Sequence, residues 1–379
     1  MGILRRAHIW ILYAFVAYVA FLVSLIYEPV QRGLIYLHGI RIPFGADFSR
    51  PESVGFAPGK VLPFRLTTPD GATLGAWHVL PVEAYEAALE RYGVPAEGHL
   101  PEAVFDAALR NSSYPTVLYN HGNAGTRAAG NRVRVARHMS ALNANFVIYD
   151  YRGFADSSRD PPPSEEGLLT DARAAWDWLT KEKGVEEGRI SVMGQSLGTG
   201  VSAGLVGRLA DEGVSPRSLI LVAPFSSIAT LLETYRLGNF IPILSPLRNF
   251  PWLLDALLQL LKTRFDTKNI IEKITSPILI LHAQNDPVIP FSHSRVLADV
   301  LINPLLAKSG PSEKDKARGK LVRETQAGGW GVVSSFERGE GKGRVVWAEA
   351  REGAHNEIGT SEYSIELIKQ MVHGEVIKS

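Results

Sequence analysis

The stretch 189–210, RISVMGQSLGTGVSAGLVGRLA, constrains this chain more than any other. A β-rich run leads into Gly194-Gln195-Ser196-Leu197-Gly198, and a helix of small residues follows. This is G-x-S-x-G between a strand and a helix, the setting in which that pattern carries meaning. A turn so tight forces strained φ/ψ on its serine and admits only residues without bulk two positions either side, here Gly194 and Gly198. The helix also offers its first N–H groups to a developing negative charge. The reading is a nucleophilic serine, Ser196. The bland alternative is a glycine-rich turn that only permits close packing.

The rest of the chain supplies a sheet around this turn. TVLYNHG (116–122), ANFVIYDYRG (144–153), SLILVAP and SPILILH are apolar runs of strand length separated by helical stretches, GRVVWAEA is a late strand, and SEYSIELIKQMV is a closing helix. Strands alternating with helices predict an α/β fold with a mostly parallel, doubly wound sheet. Residues 61–81 read as a hairpin about Pro69-Asp70-Gly71, and Ser164-Glu165-Glu166 as a helix start. Three segments read as insertions: a helical one at 82–113, an apolar one at 232–265, which is a candidate lid, and a Gly/Lys/Arg/Glu-rich one at 306–343. The last has the composition of a mobile loop, so removing about 314–340 is expected to spare activity.

A serine hydroxyl needs a base, and the base an orienting acid. In a strand–turn–helix setting the chain order is Ser, then Asp or Glu, then His. Asp286 lies just past SPILILH in a loop stiffened by Pro287 and Pro290, and His355 follows the last strand in REGAHNEI. His282 sits inside a strand and His373 in the closing helix, so both read as structural; Asp150 and Asp156 read as holding their own loop. Oxyanion stabilisation needs two backbone N–H groups. Leu197 supplies one. Asn123, in the loop after TVLYN, supplies the other, with His121 and Gly122 supporting that loop.

Residues 9–27, IWILYAFVAYVAFLVSLIY, carry no charge and at about 1.5 Å per residue span close to 30 Å, a bilayer's hydrocarbon core. With Arg5 and Arg6 before them, residues 1–8 read as a short basic cytosolic tail, 9–27 as a transmembrane signal-anchor helix, and 28–379 as the catalytic domain. A cleaved signal peptide fits less well, because the run is long and VSLIYEP lacks a small-x-small site. With Lys+Arg 40 against Asp+Glu 39, nothing favours nucleic acid, and with Cys 0, thiol nucleophiles, disulfides and Cys-bound metals are excluded. Neither a metal nor an organic cofactor is expected. Asn111-Ser112-Ser113 is a glycosylation sequon, and it falls on the lumenal side of such an anchor.

HGNAGTR at 121–127, YDYRGFADS at 149–157, GQSLGTGV at 194–201 and LHAQNDPVIPF at 281–291 together resemble the serine alpha/beta-hydrolases. The likeness is greatest to the family of alpha/beta-hydrolase-domain-containing protein 12, the membrane-anchored lysophosphatidylserine and monoacylglycerol lipases. FRLTTPDGATLGAWHVLP is similar to that family's early hairpin. The resemblance implies the alpha/beta-hydrolase fold, with Ser196 as nucleophile, Asp286 as acid, His355 as base, and Asn123 and Leu197 as oxyanion donors. It implies a lipid substrate bearing an acyl ester, and an endoplasmic-reticulum anchor with a lumenal catalytic domain. Gln195 stands where the family often has His. The residues themselves support ester or thioester hydrolysis through an acyl-enzyme. An acyl-protein thioesterase and an inactive hydrolase-fold binding module are the alternatives.

Overall fold

The computed structural model describes residues 4–234, 236–237, 241–242, 244–307, 310 and 313–375. Residues 1–3 of the basic tail, and residues 235, 238–240, 243, 308–309 and 311–312 of the second and third insertions, lie outside the described residues.

The apolar run 9–27 is not one helix. α1 (Leu4–Ser24) stops where the Ser24 hydroxyl donates back to Phe21 O at 2.6 Å, and α2 (Glu28–Tyr36) starts after a turn at 25–27. Pro29 explains the restart. Its ring suits the first turn of a helix but lacks the N–H a continuous helix needs there. Among the described residues no single helix is long and apolar enough to cross a membrane; His8–Ser24 and Glu28–Tyr36 meet that requirement only together, bent by 98°. The single helix expected over 9–27 is therefore broken at 25–27.

β1 (Val61–Thr67) and β2 (Thr73–Val79) form a hairpin in which Thr67 faces Thr73. Residues 82–113 carry α3 (Val82–Tyr92) and α4 (Glu102–Arg110), which close a small core of their own around Leu100 and Phe105. The alternating part follows: β3 (Thr116–Asn120), α5 (Gly130–Ala141), β4 (Asn145–Tyr149), α6 (Glu165–Asp177), β5 (Ile190–Gln195), α7 (Leu197–Asp211) and β6 (Ser218–Val222). α6 begins at Ser164, whose hydroxyl accepts the Gly167 N–H at 3.0 Å, and Glu165 and Glu166 favour that positive end of the helix. The chain then leaves the sheet to build a cap from α8 (Ile228–Thr234), the two-residue pair β7 (Arg236–Leu237) and β8 (Ile241–Pro242), and α9 (Pro251–Gln259). It returns through α10 (Thr267–Ile270) to β9 (Ile278–Ala283) and α11 (Ser292–Leu306). α12 (Lys314–Leu321), β10 (Arg323–Ala327), β11 (Gly331–Phe336), β12 (Val345–Ala350), α13 (Ala354–Glu357) and α14 (Glu362–His373) complete it.

Ten of the twelve described strands form one sheet in the order β1-β2-β4-β3-β5-β6-β9-β12-β11-β10, and β7 and β8 pair only with each other. From β4 to β12 neighbours run parallel, and an antiparallel hairpin finishes each edge. Side chains alternate across a strand, so a doubly covered sheet needs apolar residues at consecutive positions. Leu219 and Leu221 accordingly enter one core with α6, α7 and α11, while Ile220 and Val222 enter the other with α5 and α14. β3 leads to β4 on one side and β5 leads to β6 on the other. The carboxyl ends of β3 and β5 therefore border the switch-point crevice where open α/β sheets place their sites.

The 306–343 segment departs from expectation. It contains a helix and two strands of the main sheet, and β11 pairs with β12 from Gly331–Ala350 to Phe336–Val345. Val333, Ser334, Ser335 and Phe336 are buried. Lys314, Lys316 and Lys320 lie on α12, and Glu337, Glu340 and Lys342 in the turn at 337–343, and such residues dominate the average composition. They hide the six-residue strand GVVSSF beside them. A deletion across 314–340 removes an edge hairpin of the sheet.

Candidate active site

Ser196 ends β5 and caps α7 with φ 53 and ψ −122, a conformation that costs on the order of 1–3 kcal/mol and persists because the surroundings hold it. Its N–H donates to Val222 O at 3.0 Å, and its carbonyl accepts from the Thr199 hydroxyl at 2.6 Å. Both flanking glycines are obligatory. A Cβ on Gly194 would lie 2.2 Å from Gly198 O, and one on Gly198 would lie 1.9 Å from Asn120 O.

Asp286 and His355 come from the other strands of the parallel centre. Asp286 follows β9 and His355 lies on α13 after β12; His355 Nδ1 donates to Asp286 Oδ2 at 2.8 Å. Asp286 Oδ1 accepts from the Val288 and Ile289 N–H groups at 2.7 and 2.9 Å. Burial pushes this carboxyl up. Hydrogen bonds from His282, His355 and Ile289 outweigh burial and hold it well below the ordinary carboxylate range. It is therefore an anion, and it fixes His355 with the proton on Nδ1 and Nε2 free to accept.

The structure adds partners that the sequence did not reveal. His282, set aside as a strand residue, brings Nε2 to 3.2 Å from Asp286 Oδ2 and 3.1 Å from Ile289 O. A carbonyl only accepts, so Nε2 carries the proton and His282 braces the acid. Gln195 accepts from Tyr119 OH at 2.9 Å and donates through Nε2 to His355 O at 3.2 Å, tying the elbow to the histidine loop. Asn285 Oδ1 accepts from Ala354 N at 2.9 Å, one residue before His355. His373 donates through Nε2 to Leu142 O at 2.8 Å, a packing role.

The loop after β3 lies against Ser196, and a Cβ on Gly122 would be 3.3 Å from Ser196 Cβ. Buried Arg132 donates to Gly122 O at 2.9 Å, Asn123 O at 3.3 Å and Ala124 O at 2.5 Å. In a trans peptide C=O and N–H point opposite ways. Holding Gly122 O on the Arg132 side turns the Asn123 N–H the other way, and Asn123 borders the same cavity as Ser196 and Leu197. The next three N–H groups, of Ala124, Gly125 and Thr126, donate to Tyr36, Ile40 and Ile42 carbonyls. The chain after α2 thus braces the loop from outside. His121 Nδ1 donates to Gly122 O at 2.7 Å and Nε2 lies 3.3 Å from Asp150 Oδ1, so the ring braces this loop; burial, with Arg132 nearby, lowers its pKa. Asp150 pairs with Arg127 at 2.6 Å and Asp156 with the same guanidinium at 2.5 Å, which holds the 150–157 loop.

A cavity of about 470 Å³ meets Ser196 and is walled by Leu197, Phe225, Ile228, Leu232, Val288 and Ile289 among others. Its size is that of a small-molecule site, and its lining is almost wholly apolar. The candidate lid forms its roof through Leu232, Leu244, Leu257 and Leu258. Asn111 lies elsewhere, exposed at the end of α4, with its Oδ1 accepting from Ser113 N at 2.9 Å.

Residues 117–314 match a family model described as the alpha/beta hydrolase fold. The lysophosphatidylserine lipase ABHD12 of Danio rerio is 33% identical over 297 residues, 78% of this chain and 72% of that protein. The protein of the same name in Gallus gallus matches equally, 33% over 297 residues with 78% and 72% covered. Among solved structures, an esterase of Pyrococcus furiosus superposes with a TM-score of 0.53 at 12% identity, covering 88% of this chain and 96% of that one, a likeness of fold.

Proposed function

This chain belongs to the alpha/beta-hydrolase fold family and, within it, to the family of the lysophosphatidylserine lipase ABHD12, and from that premise we propose a membrane-anchored serine hydrolase. Its substrates are the acyl esters of lysophospholipids or monoacylglycerols, cleaved through an acyl-enzyme. The observation that carries this reading is the apolar cavity of about 470 Å³ that Ser196 lines, because a single acyl chain is the group such a lining desolvates favourably.

The chemistry follows from the side-chain roles. Ser196 Oγ attacks the acyl carbonyl while His355 Nε2 takes its proton, and the Asp286 carboxylate stabilises the imidazolium. The N–H groups of Leu197 and Asn123 receive the developing oxyanion; one such donor is worth roughly 10²–10³ in kcat. His355 then protonates the departing alcohol. Water repeats the sequence on the acyl-enzyme and frees the fatty acid. The charged or polar head group stays outside the apolar cavity, at the Ser196 end.

The same reading puts the bent pair α1 and α2, which only together have the length and apolar composition of a span, in a bilayer, with Arg5 and Arg6 on the cytosolic side and the hydrolase domain in the endoplasmic-reticulum lumen. Large apolar side chains that the protein leaves uncovered support it; Trp10 and Ile11 are each 70% exposed. The test is a substrate panel on the purified full chain in detergent: an oleoyl lysophospholipid, an oleoylglycerol and an oleoyl-cysteine peptide. Turnover of the two lipids well above the peptide is expected. Preference for the thioester peptide, or no turnover of any of them by protein that a fluorophosphonate labels, overturns the proposal.

A further inference from the structure

α1 does more than precede the hydrolase. Tyr18 and Phe21 on one face of it, and Leu25 just past its end, border the cavity that Ser196 also lines, together with Leu257 and Leu258 of α9. Between them Leu22, Leu244, Leu247 and Leu254 are buried in a separate apolar cluster. The opposite face of α1 is bare, with Val16 and Val23 exposed. One face therefore belongs to the site and the other to the surroundings.

A polar clasp locks this arrangement. Helix ends leave carbonyls without partners, and a buried one is costly. Gln31 of α2 is 4% exposed; its Nε2 donates to Leu25 O, past the end of α1, at 2.7 Å and to Leu260 O, at the end of α9, at 3.1 Å. Its Oε1 accepts from Lys262 N at 3.1 Å. One side chain thus satisfies the corner after α1 and the end of the cap helix together. Tyr36 OH and Thr263 Oγ1, 2.9 Å apart, form a second tie between the same segments.

We propose that the N-terminal helix is a substrate-binding element: Tyr18, Phe21 and Leu25 form a wall of the acyl-chain site and set the chain length it accepts. This rests on the acyl-ester reading above. It also gives a route, since a chain lying beside α1 in the bilayer enters between α1 and α9 without crossing water. In an apolar pocket one methylene of fit is worth roughly 10–200-fold in discrimination.

The test compares Phe21→Trp, which adds bulk on the cavity face, with Val23→Trp on the bare face, using 4-nitrophenyl esters from butyryl to palmitoyl. The palmitoyl-to-butyryl ratio of kcat/KM is expected to fall tenfold or more in Phe21→Trp, and to keep its wild-type value in Val23→Trp. Equal profiles for both variants in an enzyme that hydrolyses long esters overturn this inference and leave the acyl-ester reading standing. A wild type that cleaves none of the esters refutes the acyl-ester reading instead. A second measurement decides in either case and needs no variant to fold. A long-chain alkyl fluorophosphonate with a terminal diazirine reacts at Ser196, and irradiation is expected to crosslink its tail to the peptide that contains residues 18–25. Crosslinks confined to other peptides overturn the proposal.

Discussion

Replacing Asp286 by asparagine tests the orienting acid, because the geometry leaves an amide no acceptable placement. The carboxylate accepts four hydrogen bonds: Oδ1 from Val288 N at 2.7 Å and Ile289 N at 2.9 Å, Oδ2 from His355 Nδ1 at 2.8 Å and His282 Nε2 at 3.2 Å. An amide has one accepting oxygen. If that oxygen takes the backbone pair, the NH₂ faces His355 Nδ1, which must accept. The imidazole proton then moves to Nε2, and the base cannot take the Ser196 proton. If the amide flips, the Val288 and Ile289 N–H groups face donors, at a cost of roughly 1–3 kcal/mol for the buried Ile289 group. The first orientation wins. The expected result is a kcat on a butyryl ester lower by on the order of 10⁴, in a protein that still folds. Stability carries a second signature. The folded carboxyl is depressed, so its contribution is fully present above the unfolded value of about 3.9 and is lost as pH falls through the folded one. The melting-temperature gap between wild type and Asp286→Asn should therefore be widest near neutrality and narrow below about pH 4. A folded variant within tenfold of wild-type kcat, or a gap that widens in acid, refutes the reasoning.

Gly198→Ala should lose soluble, cooperatively unfolding protein, since its Cβ meets Asn120 O at 1.9 Å, a backbone atom that cannot move aside; urea denaturation equal to wild type counters this. Deleting Gly331–Phe336 should abolish cooperative folding, because β12 loses a sheet neighbour next to the His355 loop, whereas a two-residue deletion in the exposed turn at 339–342 should leave the melting temperature within a few degrees. Thermal melts of both variants separate the outcomes. Asn111→Gln should remove a glycosidase-sensitive mass shift in a eukaryotic host, and in sealed microsomes the hydrolase domain should resist protease until detergent is added; digestion in intact vesicles contradicts a lumenal domain.

The turn at Ser196 and the Asp286–His355 pair were legible because their constraints are local. A serine between glycines at a strand end, an aspartate just past SPILILH and a histidine just past the last strand each carry their signal within a few residues. What failed to show is what the topology brings together across the chain. His282 looks like any strand residue until the 286–289 loop folds back over it. Arg132 sits in RVRVARHM, a polar helix with no mark of the three carbonyls it holds. The run 9–27 was legible as apolar, but its corner at 25–27 and its packing on α9 depend on Gln31 meeting Leu260, 229 residues away. Composition misread 306–343 for a different reason: averaging over exposed Lys and Glu concealed a buried six-residue strand.

The central claim is an acyl group carried on Ser196 and drawn from a lipid. Purified full-length protein turning over an oleoyl lysophospholipid can be quenched in acid within the first turnovers, digested and analysed by mass spectrometry. The account predicts an oleoyl ester on the peptide containing Ser196, absent in Ser196→Ala, whose hydrolysis falls by on the order of 10⁴ or more. Continued hydrolysis by the folded Ser196→Ala protein, or an acyl adduct on another residue that persists in that variant, would contradict it.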